Sequence, residues 1–96
     1  MTPEGRVKAQ VKKTLDKHGV YHFSPPANGY GRVGIPDIIG CMDGKFIAIE
    51  CKAKGNTPTA LQRRELEAIH KAGGVAMVVD ENSVELLDKW FEEARK

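Results

Sequence analysis

The chain has 96 residues, 15 Lys/Arg, 13 Asp/Glu and a formal charge of +2, which suits one domain spanning 1–96 that buries about 60–68% of its unfolded surface. No apolar run of membrane-spanning length and no signal-peptide pattern occurs, so a soluble, cytoplasmic protein is expected, a virus-encoded one acting in its host cell included. The charge is uneven: residues 1–64 carry 11 Lys/Arg against 5 Asp/Glu, and residues 65–96 carry 4 against 8, which suits a polyanionic partner or simply a solvated basic face.

Thr2-Pro3-Glu4 reads as a helix start, with a hydroxyl cap, proline at the first position and an acid in the first turn. Val7, Val11 and Leu15 form its apolar stripe, and Gly19 ends it. Glu4 falls inside that stripe, which leaves two readings: an acid favoured by the helix dipole, or one aimed along the core face. Val20 to Phe23 reads as a first strand. Ser24 to Gly34 is a Pro/Gly/Asn-rich loop in which Arg32 can bind phosphate and Tyr30 can stack on a base or sugar, unless it is a plain flexible loop.

Pro36 to Met42 and Lys45 to Lys52 are two apolar runs joined by Asp43-Gly44, a strong hairpin signal because a type I′ turn needs positive φ at both central residues. With a two-residue loop, Met42 faces Lys45 and Asp37 faces Glu50, with Cβ atoms roughly 5 Å apart on one face of the sheet. Lys52 shares that face. Two carboxylates so placed repel by about 3 kcal/mol at an effective dielectric of about 20. A divalent cation would turn the repulsion into coordination, whereas frayed, solvated strand ends would merely dilute it. In the same register Cys41 and Cys51 point to opposite faces. They fit neither a zinc motif nor a disulfide framework and read as small core residues in a reducing compartment.

A second helix follows from about Pro58 to Ala72 and stops at Gly73-Gly74. Val75 to Val79 is a continuous apolar strand, expected to be buried on both faces and parallel to the Glu50 strand through a right-handed crossover. Asn82 or Ser83 caps a last helix, whose stripe is Val84, Leu87, Phe91 and Ala94 flanked by Leu86 and Trp90. The predicted order is αβββαβα, an α/β chain with a mixed β-sheet flanked by helices. His18, His22 and His70 form no cluster with Asp37 and read as surface or packing residues.

This order, with Glu4 in the first helix, Gly34-Ile35-Pro36-Asp37, Glu50-Cys51-Lys52 and Thr59-x-x-Gln62, resembles the PD-(D/E)XK nuclease superfamily. Within it the chain is most similar to the minimal VRR-NUC (virus-type replication-repair nuclease) group, itself similar to Holliday-junction resolvases. The resemblance implies a restriction-endonuclease-like αβββαβ core with a C-terminal helix. It implies Mg²⁺, with Mn²⁺ able to substitute, held by Asp37, Glu50, the backbone carbonyl of Cys51 and Glu4, directly or through water. Lys52 would orient or deprotonate the attacking water. Gln62 would hold the site or contact the scissile strand, although Thr59-x-x-Gln62 is equally a capping box. Tyr30, Arg32, Lys54 and Arg63 are the implied DNA-binding residues. The implied activity is hydrolysis of phosphodiester bonds in DNA, branched DNA such as Holliday junctions above all, by a homodimer, leaving 5′-phosphate and 3′-hydroxyl ends. The rival is a non-catalytic DNA-binding module that retains the fold; it predicts salt-dependent binding without metal or turnover.

Overall fold

In the computed structural model, which describes residues 1–26 and 32–95, α1 spans Pro3–Lys17. The Thr2 hydroxyl accepts from Gly5 N at 3.0 Å, and Gly19 beyond the helix end takes the left-handed conformation at φ 66°. Strands β1 (Tyr21–Phe23), β2 (Ile38–Met42) and β3 (Lys45–Cys51) follow, then α2 (Ala60–Lys71), β4 (Val75–Val79) and α3 (Val84–Ala94). None of these helices is long and apolar enough to cross a membrane.

The four strands lie in the order β1-β2-β3-β4, antiparallel up to β3 and parallel between β3 and β4. Asp43 at φ 52° and Gly44 at φ 82° form the two-residue turn, and Met42 pairs with Lys45 as the spacing requires. Alternation then sends Ile38, Met42, Ile47, Ile49 and Cys51 to one face of the sheet. There they meet Val7, Val11 and Leu15 of α1 and Leu87 and Phe91 of α3 in the core. Helix α2 packs on β4 and β3 and contributes no fully buried residue.

Four expectations need correction. β4 is an edge strand rather than one buried on both faces: Val79 is buried but Val78 is exposed, because α2 shields one side incompletely and no fifth strand follows among the described residues. Cys41 is exposed rather than core, since no helix covers the sheet where it lies between Tyr21 and Phe46. Helix α2 begins at Ala60, with Thr59 as its cap, so Pro58 lies outside it. Ser83 occupies the cap position of α3 but makes no side-chain cap bond; its hydroxyl accepts from Asp80 N at 2.9 Å, and the Asp80 carboxylate holds the turn by accepting from Asn82 N and Ser83 N.

One glycine ties the loop before β2 to α2. Gly34 has φ 81°, and a Cβ there would stand 2.6 Å from the Leu61 carbonyl oxygen. That neighbour is backbone and cannot swing aside. Gly34→Ala is expected to destabilise the protein by about 2–3 kcal/mol, read from urea unfolding; an unchanged midpoint would show that loop and helix are not in register.

Candidate active site

The hairpin register carries the site. Ile38 pairs with Ile49, so the next step sets Asp37, one residue before β2, across from Glu50, the penultimate residue of β3. Asp37 is fixed by its backbone neighbour: its Oδ2 accepts from Cys51 N at 2.9 Å. Because the Thr2 cap and Pro3 start α1 where they do, Glu4 falls in the first turn and reaches the same place. Carboxylate oxygens of Glu4, Asp37 and Glu50 lie within 4.8 Å of one another. Lys52 Nζ is 3.3 Å from Glu50 Oε2, and Lys8, one turn along from Glu4, sets its Nζ 3.6 Å from Asp37 Oδ1. Lys8 is the member that sequence reading missed. Its signal was the i, i+4 spacing from Glu4, which puts both on one helix face.

The cluster is electrostatically incomplete. Glu50 is 1% exposed, yet neither of its carboxylate oxygens has a hydrogen-bond partner among the described residues. The Lys52 ammonium is near enough for an ion pair, so the charge is balanced in part. Burial, and after it the Asp37 charge, push the Glu50 pKa up to about 7, against the pull of Lys52. Burial pushes the Cys51 thiol up to about 12, with the charges of Asp37 and Glu50 adding to the effect. That thiol is a neutral core group, not a ligand. Three carboxylates in reach of one another, with two orphaned oxygens on the most buried, make the all-oxygen donor set that a hard divalent cation takes.

The profile of the archaeal Holliday junction resolvase family matches residues 5–78. The chain belongs to that family. Among solved structures, a VRR_NUC domain is similar to this resolvase-family chain over 97% of its length and 94% of that domain, with 26% identity and a TM-score of 0.72. The restriction-endonuclease-like core and the VRR-NUC likeness read from the motifs are therefore borne out. Among curated relatives, the inferred nuclease p44 of Acyrthosiphon pisum secondary endosymbiont phage 1 is 39% identical over 61 residues. The match takes in 62% of this chain and 61% of that protein, so it spans less than two thirds of the relative's length.

The other expected site residues of this resolvase-family chain are distributed unequally. Asp37, Lys8, Arg32 and Gln62 line one cleft of about 260 Å³, with Pro25 and Pro26 in its wall. Gln62 serves the capping box in full: its Oε1 accepts from Thr59 N at 2.9 Å, and the Thr59 hydroxyl accepts from Gln62 N at 3.2 Å. The cap commits Oε1 while the residue still borders the cleft, so both readings of Gln62 keep a physical basis. Arg32 is held by Glu65 of α2 through a two-pronged pair at 3.1 and 3.3 Å. Lys54 borders a separate hollow with Arg6 and Gln10, and Arg63 is exposed on α2. Tyr30 lies outside the described residues. His18 and His22 pair with Asp88 and Asp16 at 2.6 and 2.7 Å, apart from the cluster.

Proposed function

We propose that the chain is a divalent-metal-dependent endodeoxyribonuclease that cleaves branched DNA, Holliday junctions among them, as a two-fold dimer. The observation that carries this reading is the trio Glu4, Asp37 and Glu50, with the buried Glu50 oxygens left unpartnered. Glu4, Asp37, Glu50 and the Cys51 backbone carbonyl would hold Mg²⁺ or Mn²⁺. Bound there, such a cation offsets phosphate charge in the transition state and makes water a stronger acid. The chain's own residues supply the rest. Lys52, 3.3 Å from Glu50, orients the attacking water and takes up or releases its proton. Lys8 neutralises Asp37 until a cation takes its place, which frees the ammonium to pair with a phosphate. Gln62 holds the helix start against the cleft. Arg32, Lys54, Arg63 and Tyr30 contact the DNA backbone and sugars, positioning the strand rather than reading its sequence.

Membership of the resolvase family supports a DNA substrate, and the basic first two-thirds of the chain supports phosphate binding. Incubation with an immobile four-way junction, a flap and a matched linear duplex in Mg²⁺ tests the reading. The expected result is cleavage of branched DNA in preference to the duplex, with 5′-phosphate ends, and no cleavage in EDTA. Wild-type protein that cuts none of the three in either Mg²⁺ or Mn²⁺, yet binds them, would leave a DNA-binding module instead.

A further inference from the structure

The sheet face that carries Asp37 and Glu50 is covered unevenly. Helix α2 lies over β3 and β4, whereas the β1–β2 half bears Tyr21 at 69% and Phe23 at 47% exposure, with exposed Cys41 and Phe46 beside them. The Tyr21 and Phe23 rings stand 6.3 Å apart at 60°. Their register places them on the site's own face. Phe23 pairs with Ile39 and Tyr21 with Cys41, and Asp37, Ile39 and Cys41 alternate onto that side of β2. One strand spacing across and two residues along, the Phe23 Cα is about 8 Å from that of Asp37. Beyond Phe23 the chain passes through Ser24 to Pro25 and Pro26, which wall the cleft holding Asp37, Lys8 and Arg32. An aromatic strip thus runs directly into a cleft lined by two cations and by Asp37 of the acid cluster.

We propose that Tyr21 and Phe23 are a stacking platform for an unpaired nucleobase one or two nucleotides from the phosphate held at the acid cluster. The proposal rests on the nuclease reading and gives it a source of structure selectivity. Bases in a matched duplex hide their faces against their neighbours, so the strip has nothing to take. At a branch point or flap a base can leave the stack and lie on a ring, and every base has the π-face this needs. The strip is continuous through Pro25 and Pro26 with a cleft whose Lys8 and Arg32 suit a phosphate, which favours the base of the same strand as occupant.

Binding in EDTA tests this without turnover. The probe is the fluorescent adenine analogue 2-aminopurine, placed at the branch nucleotide of a flap and of a four-way junction, and inside a matched duplex as control. Wild-type protein is expected to quench the branch-point probe and not the duplex one. Tyr21→Leu with Phe23→Leu keeps apolar area but removes both π-faces; it should abolish the quenching and weaken branched-DNA binding roughly tenfold or more, with duplex affinity unchanged. Phe23→Trp should keep both signals. Branched-DNA affinity and quenching equal to wild type in the double leucine variant would overturn the platform. So would conversion of a wild-type dimer to monomers by that variant in light scattering, which would make the strip a contact between copies. A wild type that never cleaves would remove the nuclease reading and leave this binding result standing by itself.

Discussion

Asp37→Asn is expected to lower cleavage by about 10²–10³-fold or more while leaving the fold intact. The amide oxygen of Asn can still accept the Cys51 N–H that Asp37 Oδ2 now accepts at 2.9 Å, so the junction of β2 and β3 keeps its tie. What disappears is one of three negative charges within 4.8 Å, together with the partner of Lys8. A cation held by two carboxylates instead of three binds more weakly, and Lys8 gains freedom to compete with it. Junction cleavage in Mg²⁺ and a thermal melt on the same preparation separate the two effects. A variant that melts like wild type and cuts at the wild-type rate would show that the acid cluster is not where hydrolysis happens.

Glu50→Gln should remove activity and raise the stability of the metal-free protein at once. Glu50 is displaced from the ordinary 4.5 to about 7 by burial first and by Asp37 second. The sign follows from proton linkage. Between about 4.5 and 7 the folded chain holds a proton that the unfolded chain has released, so stability from this group is greatest at low pH and falls as pH rises through that window. At pH 8 the carboxylate is charged and buried, offset only in part by Lys52 at 3.3 Å. Glutamine has nearly the same shape and no charge to desolvate. Allowing for the lost Lys52 contact, the gain at pH 8 is about 2 kcal/mol, or on the order of 10 °C in melting temperature for a chain of this size. In EDTA the wild-type melting temperature should drop relative to Glu50→Gln between pH 5 and 8, and a divalent cation should restore it in the wild type alone. Parallel curves for the two proteins would mean that the Glu50 carboxylate is not strained in the fold.

The juxtaposition of Asp37 and Glu50 is legible in the sequence because the turn that sets it is short. Asp43-Gly44 can turn in few ways, and once the turn has two residues the pairing of Met42 with Lys45 carries Asp37 to Glu50 by counting alone. The caps at Thr2 and Thr59 are equally local: each is a hydroxyl meeting an amide three residues on. For Glu4, periodicity favours the helix dipole and the family resemblance a ligand, because a position on a helical wheel states a direction but not what lies along it; the packing of α1 brings it within 4.8 Å of the Asp37 and Glu50 oxygens.

The remaining features depend on neighbours far away in the chain, and no count along a strand reaches them. Arg32 is drawn to Glu65 of α2, 33 residues on. Lys8 meets Asp37 only when α1 lies across the sheet end. The same apolar alternation that buries Ile38 and Ile49 leaves Cys41, Phe23 and Val78 in solvent, because pattern marks which side chains share a face while burial depends on whether another element covers it. Turn chemistry and strand period, both short-range, therefore specified the hairpin and its paired acids. Coverage of each sheet face, the path from Glu4 to Asp37 and the exposed aromatic strip arose from how three helices divide two faces, a matter of long-range packing.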